Sequence, residues 1–289
     1  MLNGNLKLAV QKKGRLTDKS LQLLRKCGLD IEEYSERLIV TARNYQLDIL
    51  FLRDDDIPEY VQDGVADVGI VGQDVVREKK AEIEVLRPLG FGKCRLMIAI
   101  PEDKNINSLS ELNGKKIATS FPVILREFLE ENRISAKVIE ISGSVEITPS
   151  LGVAEAICDL VSTGNTLKLN KLKKTFTVFE SGAALIGNTR LNEDLERSRL
   201  LNRLLLRIDS VIQAGNSRYL MMNVPKEKLT DVLQALPSLK SPTIMPLADE
   251  SMLAVHAVIS TDTYWEINEN LKSAGASGIL LLSIENMIL

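Results

Sequence analysis

Short apolar runs alternate with segments of helical pattern through much of the chain. The runs LKLAV, DILFL, DVGIVG, KKIAT and AICDLV each fit a buried strand, and a polar turn and a helical segment come after nearly all of them. Strands that alternate with helices in this way form mostly parallel sheets, which are covered on both faces. The pattern therefore predicts an α/β fold.

The last part of the chain has a different pattern. RYLMMNV, TIMPL, SMLAVHAVI and SGILLLSI fit strands, and helical segments follow the first and the third of them. This βαββαβ order is that of the ferredoxin-like fold, and about 70 residues are enough for a small domain of this kind. We place the start of this C-terminal module near residue 218, where the pattern changes.

Composition and charge limit the classes of partner. The net charge is −3 and aromatic residues make up 4% of the chain, which argues against a nucleic-acid-binding surface. We expect no membrane partner, because no apolar run approaches the length of a spanning helix. The start of the chain lacks the apolar core of a secretion signal, and Cys27, Cys94 and Cys158 form no metal or disulfide spacing. These features favour a cytoplasmic protein.

The segment DLVSTGNTL, which begins at Asp159, carries the clearest chemistry. It lies between a predicted strand and a short predicted helix, where backbone N–H groups and the helix dipole attract an anion. Ser162, Thr163 and Thr166 add hydroxyl donors, and Gly164 permits the backbone to approach a phosphate closely. The carboxylate of Asp159 is suited to accept hydrogen bonds from the hydroxyl groups of a ribose. An ordinary polar turn with a helix cap explains the same residues without any ligand.

Cations follow two other predicted strands at their carboxyl ends, where open α/β sheets bind ligands. Lys13 and Arg15 follow the first strand, Arg53 follows DILFL, and we expect Lys13 and Arg15 to face solvent. Solvated surface turns account for these residues equally well. The single histidine, His256, lies in the C-terminal module, so a histidine-activated nucleophile has little support.

Several segments together resemble the long form of the ATP phosphoribosyltransferase family. DLVSTGNTL is similar to that family's loop for phosphoribosyl pyrophosphate, and LAVQKKGRL resembles its opening strand and basic loop. FLRDDDIPEYVQDGVADVGIVGQD resembles the nucleotide side of its active site. SPTIMPLAD and GASGILLLSIENM resemble its extra C-terminal domain, so the resemblance extends over nearly the whole chain.

The resemblance implies three domains. Residues 1–99 with 184–217 would form one α/β lobe, and residues 100–183 a second lobe that carries the phosphate loop, as in a pair of periplasmic-binding-protein lobes. Residues 218–289 would form a ferredoxin-like domain that binds histidine as a feedback inhibitor. Family members assemble as dimers and hexamers, and the extra domain implies that no separate regulatory subunit is needed.

The resemblance also implies a reaction and its residues. The family transfers the phosphoribosyl group of phosphoribosyl pyrophosphate to N1 of ATP, releases pyrophosphate and uses Mg²⁺, whose protein ligands the sequence does not identify. The catalytic set is Lys13, Arg15 and Asp159. The substrate-binding set is Arg53, Gln73, Asp74, Phe121, Ser162, Thr163, Gly164, Asn165 and Thr166. The histidine-binding set is Asn223, Leu239, Ser241, Thr243, Val258 and Gly278.

Two of these positions depart from the family pattern. Phe121 stands where the family often has tyrosine, so stacking on adenine is kept and a hydroxyl contact is lost. Asn223 stands where some relatives have an acidic residue, which weakens the expected contact with the ammonium group of histidine.

Two other functions are compatible with the same motifs. One is a two-lobed small-molecule binding protein with a sensor module, against which the missing secretion signal counts. The other is a phosphoribosyltransferase for a free base. Those enzymes usually carry two adjacent acidic residues before the phosphate loop, whereas Cys158 precedes Asp159 here.

Overall fold

The computed structural model describes residues 4–32, 37–162 and 164–288, which divide between two compact units. The first unit contains the residues up to Arg25 and Leu29–Leu201, and the second contains Lys26–Gly28 and the residues from Asn202 onward. The three-domain division is finer than this and stays a prediction. No helix of the described residues is long and apolar enough to cross a membrane.

Strands and helices alternate along the first unit. Its strands are β1 (Leu6–Gln11), β2 (Ile39–Thr41), β3 (Leu47–Leu52), β4 (Val68–Gly72), β5 (Glu84–Pro88), β6 (Cys94–Pro101), β7 (Lys116–Thr119), β8 (Lys137–Glu140), β9 (Ala156–Val161), β10 (Leu172–Ser181) and β11 (Ala183–Gly187). The helices between them are α1 (Thr17–Lys26), α2 (Ile57–Gln62), α3 (Gln73–Lys79), α4 (Pro122–Glu131) and α5 (Asn165–Leu169), and α6 (Leu195–Gly215) follows β11.

The first sheet has the strand order β2-β3-β1-β4-β11-β5. β1 pairs in parallel with β3 on one side and with β4 on the other, and all three strands are almost completely buried. Parallel strands that are neighbours end at the same edge of a sheet. The residues that follow β1, β3 and β4 therefore lie along one edge, which is where sheets of this kind bind ligands.

The second sheet has the order β10-β6-β9-β7-β8, with β7 parallel to both β8 and β9. The chain passes from the first sheet to the second between Pro88 and Cys94, and it returns between Ser181 and Ala183. The backbone N–H of Ala183 donates a hydrogen bond to the carbonyl of Phe91 (2.9 Å). The two crossovers between the sheets therefore lie side by side.

The second unit has the predicted ferredoxin-like arrangement. Its elements are β12 (Ser217–Pro225), α7 (Leu229–Ala235), β13 (Thr243–Pro246), β14 (Met252–Ser260), α8 (Tyr264–Ser273) and β15 (Ser277–Ser283), and the sheet order is β13-β14-β12-β15. Leu220 and Val255 on the sheet share a buried core with Val232 of α7 and Leu271 of α8. Both the α/β fold and the βαββαβ module are thus confirmed.

A buried carboxylate joins the two crossovers to the first sheet. Asp74 lies in the first turn of α3, directly after β4, and its side chain is 1% exposed. Its Oδ1 accepts a hydrogen bond from Ser181 Oγ (2.5 Å) and another from Arg15 Nη2 (3.2 Å), and Asp74 and Arg15 form an ion pair. Arg15 also donates to the carbonyl of Gly92 (2.8 Å) and to Cys94 Sγ (2.9 Å). This set of residues is called the crossover network below.

The network adds contacts that the sequence did not indicate. Arg15 is exposed, as expected, and its guanidinium contacts Asp74, Gly92 and Cys94. Asp74 is buried among protein groups. The physical reason is that a buried carboxylate requires a counter-charge and hydrogen-bond donors, and the partners of Asp74 lie 59 and 107 residues away in the sequence.

We predict that Asp74→Ala lowers the free energy of unfolding by about 2–4 kcal/mol, because it leaves the groups around Arg15 and Ser181 without their acceptor. The cost is below that of a fully buried pair because the Arg15 side chain is 37% exposed. Urea denaturation measures this difference. Asp103→Ala is the matched control, since Asp103 is 71% exposed and pairs with the exposed Lys104. Equal losses in the two variants would contradict the structural role of Asp74.

Candidate active site

A cleft of about 520 Å³ lies beside the two crossovers. Gln73, which directly follows β4, lines it together with the crossover residues Phe91 and Ser181. Val161 and Ser162, at the end of β9, also line it. The first residue of the phosphate loop and the residue after β4, which the sequence assigns to the sugar phosphate and the nucleotide, therefore share one cleft.

The phosphate loop begins where β9 ends. Ser162 is exposed, and Gly164 stands before the first residue of α5 with a φ of 84°, a left-handed conformation that favours glycine. Asn165 and Thr166 are exposed in the first turn of α5. Thr163 lies outside the described residues. The strand, the turn and the helix start are thus arranged as the sequence predicts.

Asp159 lies on the part of β9 that leads into this loop. It pairs with Met97 of β6, which lines the cleft, and residues paired across antiparallel strands have side chains on the same face. Burial raises the pKa of Asp159. The hydrogen bond donated by the N–H of Leu160 lowers this pKa, and the negative charge of Glu146 raises it. Glu146 comes from a separate loop, so no local sequence signal indicated this second carboxylate.

The cleft is also lined by three cations that the sequence motifs did not indicate: Lys93, Arg95 and Lys174. Of the described residues in this lining, only Glu180 is acidic, and its Oε1 lies 3.5 Å from Arg95 Nε. The lining is therefore positively charged, although the whole chain has a net charge of −3. Such a local field attracts an anion that carries several charges.

A second depression, of about 290 Å³, lies at the carboxyl ends of β1 and β3. Lys12, Lys13 and Arg53 line it together with Asp54 and Asp55. The structure brings these residues together because β1 and β3 are paired up to their last residues. Burial raises the pKa of Asp54, and the adjacent Asp55 adds to this effect. The depression thus combines cations for a phosphate with carboxylates.

Phe121 is half-buried and stands just before α4, where it packs against the core of the second sheet. It is not among the described residues that line the larger cleft. Glu78 of α3 accepts hydrogen bonds from the backbone N–H groups of Val123 (2.9 Å) and Ile124 (3.0 Å). A side chain next to the first sheet therefore caps α4 and fixes the backbone that follows Phe121.

The six residues expected to contact histidine form separate groups in one copy of the second unit. Asn223 and Gly278 are close, since a Cβ atom on Gly278 would lie 3.3 Å from Asn223 Nδ2. Leu239 and Val258 are joined by a hydrogen bond between backbone groups (2.9 Å). Asn223 pairs with Ala254, four residues before Val258, so the two groups are about 13 Å apart along β14.

The two hydroxyl residues of that set lie on the edge of the same sheet. Thr243 is exposed on β13, paired with His256 of β14, and Ser241 is exposed two residues before it. The ring of His256 accepts or donates a hydrogen bond at Nδ1 with the hydroxyl of Tyr219 (2.8 Å). A single amino acid is too short to contact every member of the set within one copy.

Comparison with known proteins identifies relatives along nearly the whole chain. The profile of ATP phosphoribosyltransferase matches residues 53–210, and that of the HisG C-terminal domain matches residues 214–286. The ATP phosphoribosyltransferase of Bacteroides thetaiotaomicron is 47% identical over 98% of this chain and 99% of its own length. That of Cytophaga hutchinsonii is also 47% identical, over 98% of both chains.

Solved structures agree with this result. A chain of the ATP phosphoribosyl transferase (HisG:HisZ) complex from Thermotoga maritima has a TM-score of 0.59 at 29% identity, covering 71% of this chain and 98% of its own. An ancestral arginine-binding protein, at 15% identity and a TM-score of 0.50, shares the fold alone over 74% of this chain and 95% of its own. From the two profile matches and the near-complete alignment with its relatives, we conclude that the chain belongs to the ATP phosphoribosyltransferase family, the enzymes of histidine biosynthesis.

Proposed function

We propose that the cleft joins the phosphoribosyl group of phosphoribosyl pyrophosphate to N1 of ATP and releases pyrophosphate. One observation carries this proposal. Ser162 of the phosphate loop, the cations of the lining and Gln73 all border the same cleft of about 520 Å³. A sugar phosphate and a nucleotide can therefore be held next to each other, which is what a transfer between two bound substrates requires.

The loop after β9 binds the 5-phosphate in this proposal. Backbone N–H groups at the turn and the hydroxyls of Ser162, Thr163 and Thr166 supply the donors, and Asn165 completes the loop. Asp159 accepts hydrogen bonds from the ribose hydroxyls.

The chemical step needs charge stabilisation more than a nucleophile. As the bond from C1 of the ribose to pyrophosphate breaks, C1 gains positive charge and the leaving group gains negative charge. Lys13 and Arg53, which line one depression, stabilise the phosphates of ATP or of the leaving group. Arg15 and Asp74 act through the crossover network, which positions Gln73.

Mg²⁺ is the proposed cofactor, and the residues present are compatible with it. The described residues contain no group of three or more metal-binding side chains, and Mg²⁺ typically uses one or two carboxylates together with substrate phosphates and water. Asp159 lies on the strand that leads into the phosphate loop, and the negative charge of Glu146 acts on it, so these two carboxylates would be the ones to hold the ion. When bound, the ion would neutralise charge on the departing pyrophosphate.

Histidine is the proposed feedback inhibitor, bound by the second unit. Because one copy separates Asn223 and Gly278 from Leu239 and Val258 by about 13 Å, we infer that histidine contacts one of these groups in each of two copies. This agrees with the proposed assembly into dimers and hexamers. We expect no separate regulatory subunit, because the C-terminal domain is part of this chain, and we expect the enzyme in the cytoplasm.

Pyrophosphate release tests the proposed reaction against its alternatives. The purified chain is mixed with Mg²⁺ and phosphoribosyl pyrophosphate, and either ATP or a free base such as adenine or orotate is added. Release that requires ATP and falls when histidine is added supports the proposal. Release with a free base instead identifies a different phosphoribosyltransferase, and ligand binding without release identifies a binding protein.

We predict that Thr163→Ala and Gly164→Val both raise the KM for phosphoribosyl pyrophosphate. The first variant removes a donor to a charged acceptor, which corresponds to roughly a 10- to 150-fold change. The second puts a branched side chain on a backbone whose φ is 84°. Steady-state kinetics measures both, with Ser273→Ala, an exposed change on α8 of the second unit, as the control. Unchanged KM values in both variants would make the loop a structural turn only.

A second kinetic prediction concerns the depression at the ends of β1 and β3. Lys13→Ala and Arg53→Ala should each slow turnover about tenfold or more, because each removes a cation that faces phosphate. Both residues are exposed, so the melting temperature should hardly change. Lys19→Ala, an exposed change on α1, is the control. If the double variant Lys13→Ala/Arg53→Ala has wild-type kinetics, these cations do not contact substrate.

A third prediction concerns inhibition. Thr243→Val keeps the shape of the side chain and removes its hydroxyl, so the histidine concentration for half-inhibition should rise about tenfold. Uninhibited activity should stay the same, because Thr243 lies on the second unit. Thr230→Val on α7 is the control, since that helix packs on the other face of the sheet. Inhibition that is strictly competitive with phosphoribosyl pyrophosphate would place the histidine site in the cleft instead.

A further inference from the structure

Lys174 of β10 is the cation nearest to the glycine turn of the phosphate loop. A Cβ atom placed on Gly164 would lie 3.4 Å from Lys174 Nζ and 3.5 Å from its Cε. Lys174 also lines the cleft together with Ser162. The loop sequence itself contains no lysine between Asp159 and Leu167. The fold therefore supplies from a distant strand a charge that the loop does not have.

The direction of this side chain follows from strand pairing. Lys174 is opposite Ala99 of β6, and Ala99 lies on the same face as Val161 at the end of β9, since both belong to one buried cluster. The register of β10 against β6 shifts directly after Lys174. Such irregularities are found beside active sites, where they change the direction of a side chain.

Lys174 has no ion-pair partner among the described residues. None of their carboxylates lies within 4.0 Å of its Nζ, and the residue is exposed. Lys173, the preceding residue, has hydrogen-bond partners for its ammonium group. Its Nζ donates to the carbonyl of Glu102 (3.1 Å) and to Asn105 Oδ1 (2.8 Å), on the other face of the sheet. Two adjacent lysines thus differ in face and in partners.

We propose that Lys174 is a substrate-binding residue that pairs with the phosphate held by the loop, and so contributes to selectivity for a phosphorylated ribose. This rests on the proposed function of the cleft. An ammonium beside the backbone turn adds an ion pair to the hydrogen bonds of the loop, and its single charge suits a phosphate monoester. Unphosphorylated ribose has no negative charge with which the ammonium group can pair.

Binding of ribose 5-phosphate to the full chain, measured by calorimetry, tests the role of Lys174 without any turnover. Lys174→Ala should weaken binding about tenfold or more, and Lys174→Arg should recover most of the loss because it restores the charge. Lys173→Ala is the matched control and should stay within about twofold of wild type. A Lys174→Ala variant that binds within twofold of wild type, or that weakens no more than Lys173→Ala, would overturn the proposal.

Kinetics then separates this inference from the proposed reaction. Lys174→Ala should raise the KM for phosphoribosyl pyrophosphate about tenfold and leave the KM for ATP within about twofold. An equal rise of both constants would contradict a contact with the sugar phosphate. If wild type binds ribose 5-phosphate through Lys174 but releases no pyrophosphate with ATP, the proposed reaction fails and the role of Lys174 stands. If wild type releases pyrophosphate with ATP but binds no ribose 5-phosphate, the proposed reaction stands and the role of Lys174 is overturned.

Discussion

The crossover network around Asp74 connects the fold of the first unit to its chemistry. A carboxylate with 1% exposure is stable only with donors and a counter-charge, and Ser181 and Arg15 supply them from two separate parts of the chain. The same contacts fix the start of α3, where Gln73 enters the cleft, and they hold both crossovers beside it. The geometry of the cleft therefore depends on the ion pair between the buried Asp74 and Arg15.

Strand direction explains why chemistry collects where it does. In the first sheet, parallel neighbours bring the residues after β1, β3 and β4 to one edge. In the second sheet, β9 ends at the loop that begins with Ser162, and β10, which pairs with the other side of β6, carries Lys174. The cleft therefore carries an excess of positive charge, although the whole chain is slightly acidic. Binding of anions here is a property of the fold and not of the composition.

The sequence predicts those parts of the molecule that depend on local pattern. The α/β alternation, the βαββαβ module and the strand–turn–helix at Gly164 all follow from periodicity and turn chemistry within a few residues. Contacts across long separations could not be predicted in this way. Lys174 near Gly164, Glu146 near Asp159 and Asp74 with Arg15 each depend on strand pairing or loop packing, which a single sequence does not encode locally. The separation of the histidine residues into two groups has the same origin.

The central claim is that two substrates held in one cleft are joined at a defined pair of atoms. Its most direct test is the structure of the product, determined by nuclear magnetic resonance after incubation of ¹⁵N-labelled ATP with phosphoribosyl pyrophosphate, Mg²⁺ and the intact chain. The account predicts a new bond between C1 of the added ribose and N1 of the adenine ring, with the triphosphate intact. Recovery of unmodified ATP, or attachment of the ribose at any other atom, would contradict it.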